Sequence, residues 1–180
     1  MKRFFLQMFS KNNYKIFLIR SKLSWNSKNI ILYRHPFDAA MAEFNREHCW
    51  SDDTKDFTKY ASLETFHSQN FTNFANNFVD NWDIFHNKIL DQCSNVRCHF
   101  VRYEDLKNDL IQEMDFLLRF LGFQMDSALE TCLLNQSKGN FKREERSGKE
   151  KENIFNMFTT DILLHFTSVY AKFANKVMKI

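Results

Sequence analysis

Among the residues whose chemistry is distinctive, Arg34 is the best suited to hold an anion. It ends an apolar run and opens Arg34-His35-Pro36-Phe37-Asp38. A guanidinium at a strand end presents a planar fork of N–H donors that matches a phosphate. Pro36 suits the first turn of a helix, where its missing N–H costs nothing. The amides and dipole of that helix end would add to anion affinity. The alternative is local: Arg34 pairs with Asp38 or Glu104 and ties the turn together. Tyr103 lies at the end of a second apolar run, where an aromatic either presents a face for stacking or makes an ordinary sheet-end contact. Glu104 and Asp105 beside it read as helix capping and structural pairing rather than catalysis. Lys142 and Arg143 form a basic pair in a charged loop. His35, His48 and His86 have the side chain of a general base, but His35 reads as a turn residue and the other two as helix-surface or rim residues. The four cysteines, Cys49, Cys93, Cys98 and Cys132, show no C-x-x-C and no zinc-ligand spacing, so no metal is expected. Cys93 and Cys98 are near enough to pair across a helix–strand corner, or to remain thiols.

The elements that must position these groups follow from periodicity. Residues 1–28 are poorly defined, with a helical piece near 3–10 and an extended piece over Lys15–Ile19. Asn29–Tyr33 is a short continuous apolar run and reads as a fully buried parallel strand. A helix from Pro36 carries Phe37, Ala40, Met41 and Phe44 at helical spacing. Ser51–Asn70 is polar and irregular, with room for a short helix. Phe71, Phe74, Phe78, Trp82, Phe85 and Ile89 then mark the clearest amphipathic helix. Arg97–Arg102 reads as a second buried strand. Asp105 caps a third helix with Leu106, Leu110, Leu117 and Leu121 facing inward, and Gly122 stops it. A helix near 126–135, a charged loop over Ser137–Glu152 and a closing helix from Phe158 to Val177 complete the order. Strands separated by helices imply an α/β layer arrangement with parallel strands. In such sheets ligands sit beyond the carboxyl ends of the strands, which is where Arg34 and Tyr103 stand.

Composition narrows the classes. The chain has 180 residues, 44% of them apolar and 16% aromatic, with 21 phenylalanines. That is enough for a domain with a core and excludes a disordered chain. Three glycines and one proline argue against a turn-rich β-sandwich. A net charge of +3 without an arginine-rich run does not point to nucleic acid. No run of 18 apolar residues predicts a membrane span. The N-terminal Met1–Phe9, basic and then briefly apolar, is a poor signal peptide. Asn70-Phe-Thr and Asn135-Gln-Ser are glycosylation tripeptides that matter only in a luminal protein.

Arg34-His-Pro-Phe-Asp-Ala-Ala-Met-Ala-Glu-Phe-Asn-Arg46 resembles the strand–turn–helix of sulfotransferases that use 3′-phosphoadenosine 5′-phosphosulfate (PAPS). The subgroup it resembles is the sulfotransferase domain of WSC-domain-containing proteins, the sialate O-sulfotransferases, whose helix also reads Ala-Glu-Phe-Asn-Arg. Three further blocks match in order: the Trp82 helix, Phe100–Leu106 with its Glu-Asp-Leu, and Gly139-Asn-Phe-Lys-Arg143. The resemblance covers residues 28–178. It implies a P-loop-NTPase-like sulfotransferase fold, here partial, with a short parallel sheet flanked by helices over residues 29–180. It implies that Arg34 contacts the 3′-phosphate, that Tyr103 lies near the adenine, and that the loop of Lys142 and Arg143 closes over the 3′-phosphate. It implies PAPS as co-substrate, a glycan hydroxyl as acceptor, and the Golgi as location. Many cytosolic members have a phosphate-contacting serine eight residues after the arginine; here that position is Ala42, as the WSC-type subgroup resembles. None of the three histidines falls on a family site position.

The resemblance also implies parts that these residues do not supply. The family's phosphosulfate cradle is a loop of the type Pro-x-Ser-Gly-x-Thr, followed by a catalytic His or Glu. No glycine precedes Gly122, so this reading expects a domain incomplete at its front, with its catalytic base unknown. The rival readings are a non-catalytic binding module that keeps the 3′-phosphate clamp, and a small helical interaction protein with a chance motif.

Overall fold

A computed structural model of the chain describes residues 5–9, 16–20, 28–48, 61–136 and 147–179. The strands are β1 (Phe5–Phe9), β2 (Ile16–Arg20), β3 (Lys28–Tyr33) and β4 (Arg97–Arg102). The helices are α1 (Pro36–His48), α2 (Leu63–Phe66), α3 (Gln69–Cys93), α4 (Tyr103–Asn108), α5 (Leu110–Leu121), α6 (Ser127–Gln136), α7 (Gly148–Phe155) and α8 (Thr160–Val177). They form two compact units. The first holds the four strands, α4–α6 and the end of α3 from Lys88. The second holds α1, α2, the rest of α3, α7 and α8.

In the first unit β3 and β4 pair in parallel, in register from Lys28↔Arg97 to Tyr33↔Arg102. This is the short parallel sheet with flanking helices that the family fold requires. Two more strands extend it in the order β1-β2-β3-β4, both antiparallel. Residues 5–9 are therefore a strand, not the helical piece expected near 3–10. A five-residue apolar run has no decisive period, and pairing with β2 decides its state. The expected buried run also needs correction. Ile31 is buried, but Leu32 next to it is 47% exposed, so β3 alternates as a strand covered mainly on one side. The buried Asn29 is satisfied across the pair, its Nδ2 donating to the carbonyl of Arg97 at 3.3 Å. Cys93 and Cys98 form a disulfide that links the end of α3 to β4.

Asp105 does not cap the helix after β4. Arg102 occupies that position, and Asp105 falls in the first turn of α4. The continuous helix expected over this region breaks at Asp109, whose carboxylate accepts from the Gln112 amide at 3.1 Å and so starts α5. Gly122 ends α5 at φ +92°, a left-handed conformation that suits glycine. Leu106, Leu110, Leu117 and Leu121 are half-buried rather than core.

The second unit is built on phenylalanine. Phe44 on α1 is fully buried, and its ring lies 4.7–5.2 Å from those of Phe66, Phe71 and Phe74. Phe158 continues the cluster to Phe37 and Phe71, and Phe166 joins it from α8 against Phe37 and Phe158. The buried stripe of α3 within this unit is Phe71, Ala75, Val79, Trp82 and His86. The expected stripe is thus rotated slightly, and Phe74, Phe78 and Phe85 lie half-buried at its rim. Part of the expected charged loop is helix: Ser147 and Glu150 form a reciprocal capping box that begins α7.

His86 is not a rim residue. It is 5% exposed, stacked 3.7 Å from Trp82 with Phe173 edge-on at 5.0 Å. Its Nδ1 donates to the Trp82 carbonyl at 2.8 Å. Burial lowers its pKa from 6.5 to about 4, against the smaller opposing effect of that hydrogen bond. The folded value lies below the ordinary one, so protons favour the unfolded chain. The stability contributed by neutral His86 is complete above about pH 6.5 and is lost as pH falls toward 4. Denaturant melts across this range should show a loss on the order of 3 kcal/mol. His86→Leu, which keeps the apolar packing, should flatten that dependence. A second expectation concerns Asn45, which is buried, donates to the Met41 carbonyl and accepts from the Ala61 amide at 3.1 Å. Asn45→Ala removes both of these buried hydrogen bonds and should lower unfolding free energy by about 1–3 kcal/mol, measured by urea titration.

Candidate anion-binding site

The parallel register determines where the charged residues fall. Tyr33 pairs with Arg102, so the next residues, Arg34 and Tyr103, leave the same edge of the sheet side by side. The Arg34 guanidinium lies over the Tyr103 ring, 4.7 Å from its centroid. Tyr103 is 40% exposed. Glu104 lies between two arginines. One of its oxygens is 3.8 Å from Arg34 Nε, and the other accepts from Arg102 Nε at 3.2 Å. Arg102 also approaches Asp105 at 3.6 Å. Glu104 and Asp105 are thus engaged in structural pairing, as their types and position imply.

Arg34 is tethered loosely by comparison. Its distance to Glu104 exceeds a hydrogen bond, and its Nε is shielded from solvent without a hydrogen-bond partner. The Asp38 pairing is not found among the described ion pairs. Lys142 and Arg143 lie outside the described residues. The edge contains one residue that sequence reasoning missed, Arg102. Its signal was legible: it is an arginine at a strand's carboxyl end, as Arg34 is.

The start of α1 is organised by His35. Its Nδ1 accepts from the Phe37 amide at 3.3 Å, its carbonyl accepts from Ala39, and its ring packs against Tyr170. One of the amides that the sequence offered to a phosphate is therefore satisfied within the protein. His48 lies on the exposed end of α1 against Phe44. His99, on β4, stacks on Phe120 and burial lowers its pKa. The residues after the turn serve packing. Phe44 and Asn45 are core, while Arg46 grips Glu43 through two hydrogen bonds of 2.8 and 2.6 Å. That pairing raises the Arg46 pKa, and burial raises that of Glu47. A separate open cleft of about 400 Å³ is lined, among the described residues, by Leu63, His67, Asn153, Asn156 and Met157, none of them a lysine or arginine. Among the described residues no cluster of three His, Cys, Asp or Glu could hold a metal, and no helix is long and apolar enough to cross a membrane.

Comparison with known proteins gives this edge a context. Sulfotransferase 6B1 of Mus musculus is 32% identical over 111 residues, 58% of this chain and 33% of that protein. WSCD family members of Drosophila pseudoobscura pseudoobscura and Drosophila melanogaster are each 28% identical over 122 residues, 67% of this chain and 37% of theirs. The chain thus spans about a third of the length of the curated relatives it matches. No solved structure matches it. The model of the sulfotransferase domain matches residues 10–171, from before β2 to within α8, and with the WSCD relatives in agreement the chain belongs to the sulfotransferase domain family.

Proposed function

We propose that this chain is the part of a PAPS-dependent sulfotransferase domain that holds the 3′ end of the sulfate donor. The reading rests on one observation: a parallel strand pair brings Arg34 over Tyr103 at a carboxyl edge. A guanidinium with only a loose carboxylate contact offers the fork that a 3′-phosphate needs. The exposed Tyr103 ring offers a platform for a base. Lys142 and Arg143 are proposed to add cations from the late basic loop. The whole domain is proposed to move a sulfuryl group to a glycan hydroxyl, with sialic acid the first acceptor to test, and to work in the Golgi. These last assignments rest on the resemblance to the WSC-type subgroup.

Adenosine 3′,5′-bisphosphate should bind the chain weakly, and Arg34→Ala should remove most of that binding. A charge-assisted phosphate contact contributes roughly 1.5–3 kcal/mol, so the loss should be about ten- to hundredfold by calorimetry. Arg34→Lys should rescue it in part, because a bidentate fork becomes a point charge. Equal affinity in wild type and Arg34→Ala would refute the site.

A second reading, a clamp without turnover, is favoured for the 180-residue chain alone by its lack of any glycine before Gly122. Backbone N–H groups of a glycine-rich loop are what would cradle a phosphosulfate. Losing one such donor from a built site costs about 2.7–4 kcal/mol of barrier, and an absent general base a further factor of roughly a hundred to ten thousand. A radiolabel assay with PAPS and sialylated glycans should therefore stay at background for this chain. Transfer at an ordinary enzymatic rate would show that residues other than a glycine-rich loop do this work.

A further inference from the structure

We propose that Glu104 is a positioning residue for nucleotide binding: it aims Arg34 while Arg102 balances its charge. The inference rests on the 3′-phosphate reading above and assigns a role within the same edge. Glu104 uses its two oxygens on two arginines that end two adjacent parallel strands, 3.8 Å to Arg34 Nε and 3.2 Å to Arg102 Nε. Its side chain is only 21% exposed, so it has little freedom to turn elsewhere. It also lies one residue beyond Tyr103, in the first turn of α4, so one short helix carries both the ring under the Arg34 guanidinium and the carboxylate beside its Nε. These contacts restrict the guanidinium in two ways. The ring sets its plane, and the carboxylate draws the Nε side inward, which leaves the edge formed by the two terminal nitrogens to meet an anion.

A carboxylate near a phosphate ordinarily weakens binding by like charge. Here Arg102 is the nearer partner, and Asp105 lies 3.6 Å from its other side. Arg102 thus offsets the Glu104 charge at the edge, so the carboxylate can orient the fork without standing as an unpaired negative charge beside the phosphate. Removing Glu104 alone gains one unit of positive charge and loses the orientation. With half-exposed groups in salt, the charge gain is screened, whereas loss of bidentate geometry is not.

The test compares adenosine 3′,5′-bisphosphate with adenosine 5′-monophosphate, which lacks the 3′-phosphate, by calorimetry on the full chain at 0.15 M salt. Wild type should prefer the bisphosphate by about tenfold or more. Glu104→Gln should cut bisphosphate affinity about three- to tenfold and leave the monophosphate within twofold, so that the preference shrinks toward that of Arg34→Ala. Glu104→Asp, which keeps the charge but shortens the reach, should fall between them; if Glu104→Gln does not fold, this variant decides. An unchanged or increased preference in either variant would overturn the positioning role while leaving the 3′-phosphate site standing. Equal loss of both ligands would assign Glu104 to stability alone and overturn it as well. If wild type shows no preference, or Arg34→Ala keeps it, the parent site fails and this role fails with it.

Discussion

The in-register parallel pairing of β3 and β4 is the constraint on which the edge depends. Residues in neighbouring parallel strands advance together by about 3.3 Å per position. A slip of one residue would turn every side chain of a strand to the opposite face. Arg34 meets Tyr103 only because Tyr33 is held beside Arg102. Several features pin that register. Asn29 bonds across the pair to Arg97, and Tyr33 meets Phe100 edge-on at 6.4 Å. The Cys93–Cys98 disulfide holds the entry to β4 against the end of α3. The strand pair thus turns two stretches 69 residues apart in sequence into neighbours at one edge.

The block that most resembles the family is not uniform in purpose. Its first residue, Arg34, stands at the sheet edge. Its last four, Glu43-Phe44-Asn45-Arg46, serve the second unit. Phe44 is the hub of a ring cluster, Asn45 anchors the backbone of Ala61, and Glu43 and Arg46 clasp along the helix. Recognition of the family through Ala-Glu-Phe-Asn-Arg is therefore recognition of packing. Ala42 fits this division: it lies half-buried between the two buried positions Ala40 and Phe44, where a small side chain suffices.

Elements with a long or flanked period were legible from sequence. The β4 boundaries, the Pro36 start, the long α3 helix and the Gly122 stop follow from signals carried within each segment. What was not legible depended on remote partners or on one turn of phase. Phe5–Phe9 has no helix or strand signature of its own until β2 supplies its ladder. His86 follows Trp82 by four residues and precedes Ile89 by three, a buried position in the helical stripe, but its polar type masked the position. Asp105 and Asp109 are both acceptable caps, and the choice of Asp109 follows from the chain leaving helical geometry there at φ −141°. The Ser147–Glu150 capping box was visible in the sequence and was hidden by its charged surroundings. Of the four residues proposed for the site, Arg34 and Tyr103 lie among the described residues and meet at the edge. The pair Lys142 and Arg143 lies in a stretch that the structure does not describe.

The forces on Arg34 show what the proposed phosphate contact would add to it. A cation over a half-exposed tyrosine ring contributes about 0.5–1 kcal/mol. A part-exposed ion pair at 3.8 Å, too long for a hydrogen bond, adds between zero and about 1 kcal/mol. Neither contact gives the shielded Nε a hydrogen bond, and a buried unpaired N–H carries a cost of its own. The two weak contacts are enough to restrict the guanidinium and too weak to satisfy it. A dianionic group accepting from its terminal nitrogens, as proposed, would gain more than both contacts together. Orientation by weak neighbours, with the strong interaction left for a ligand, is what the proposed 3′-phosphate contact asks of Arg34.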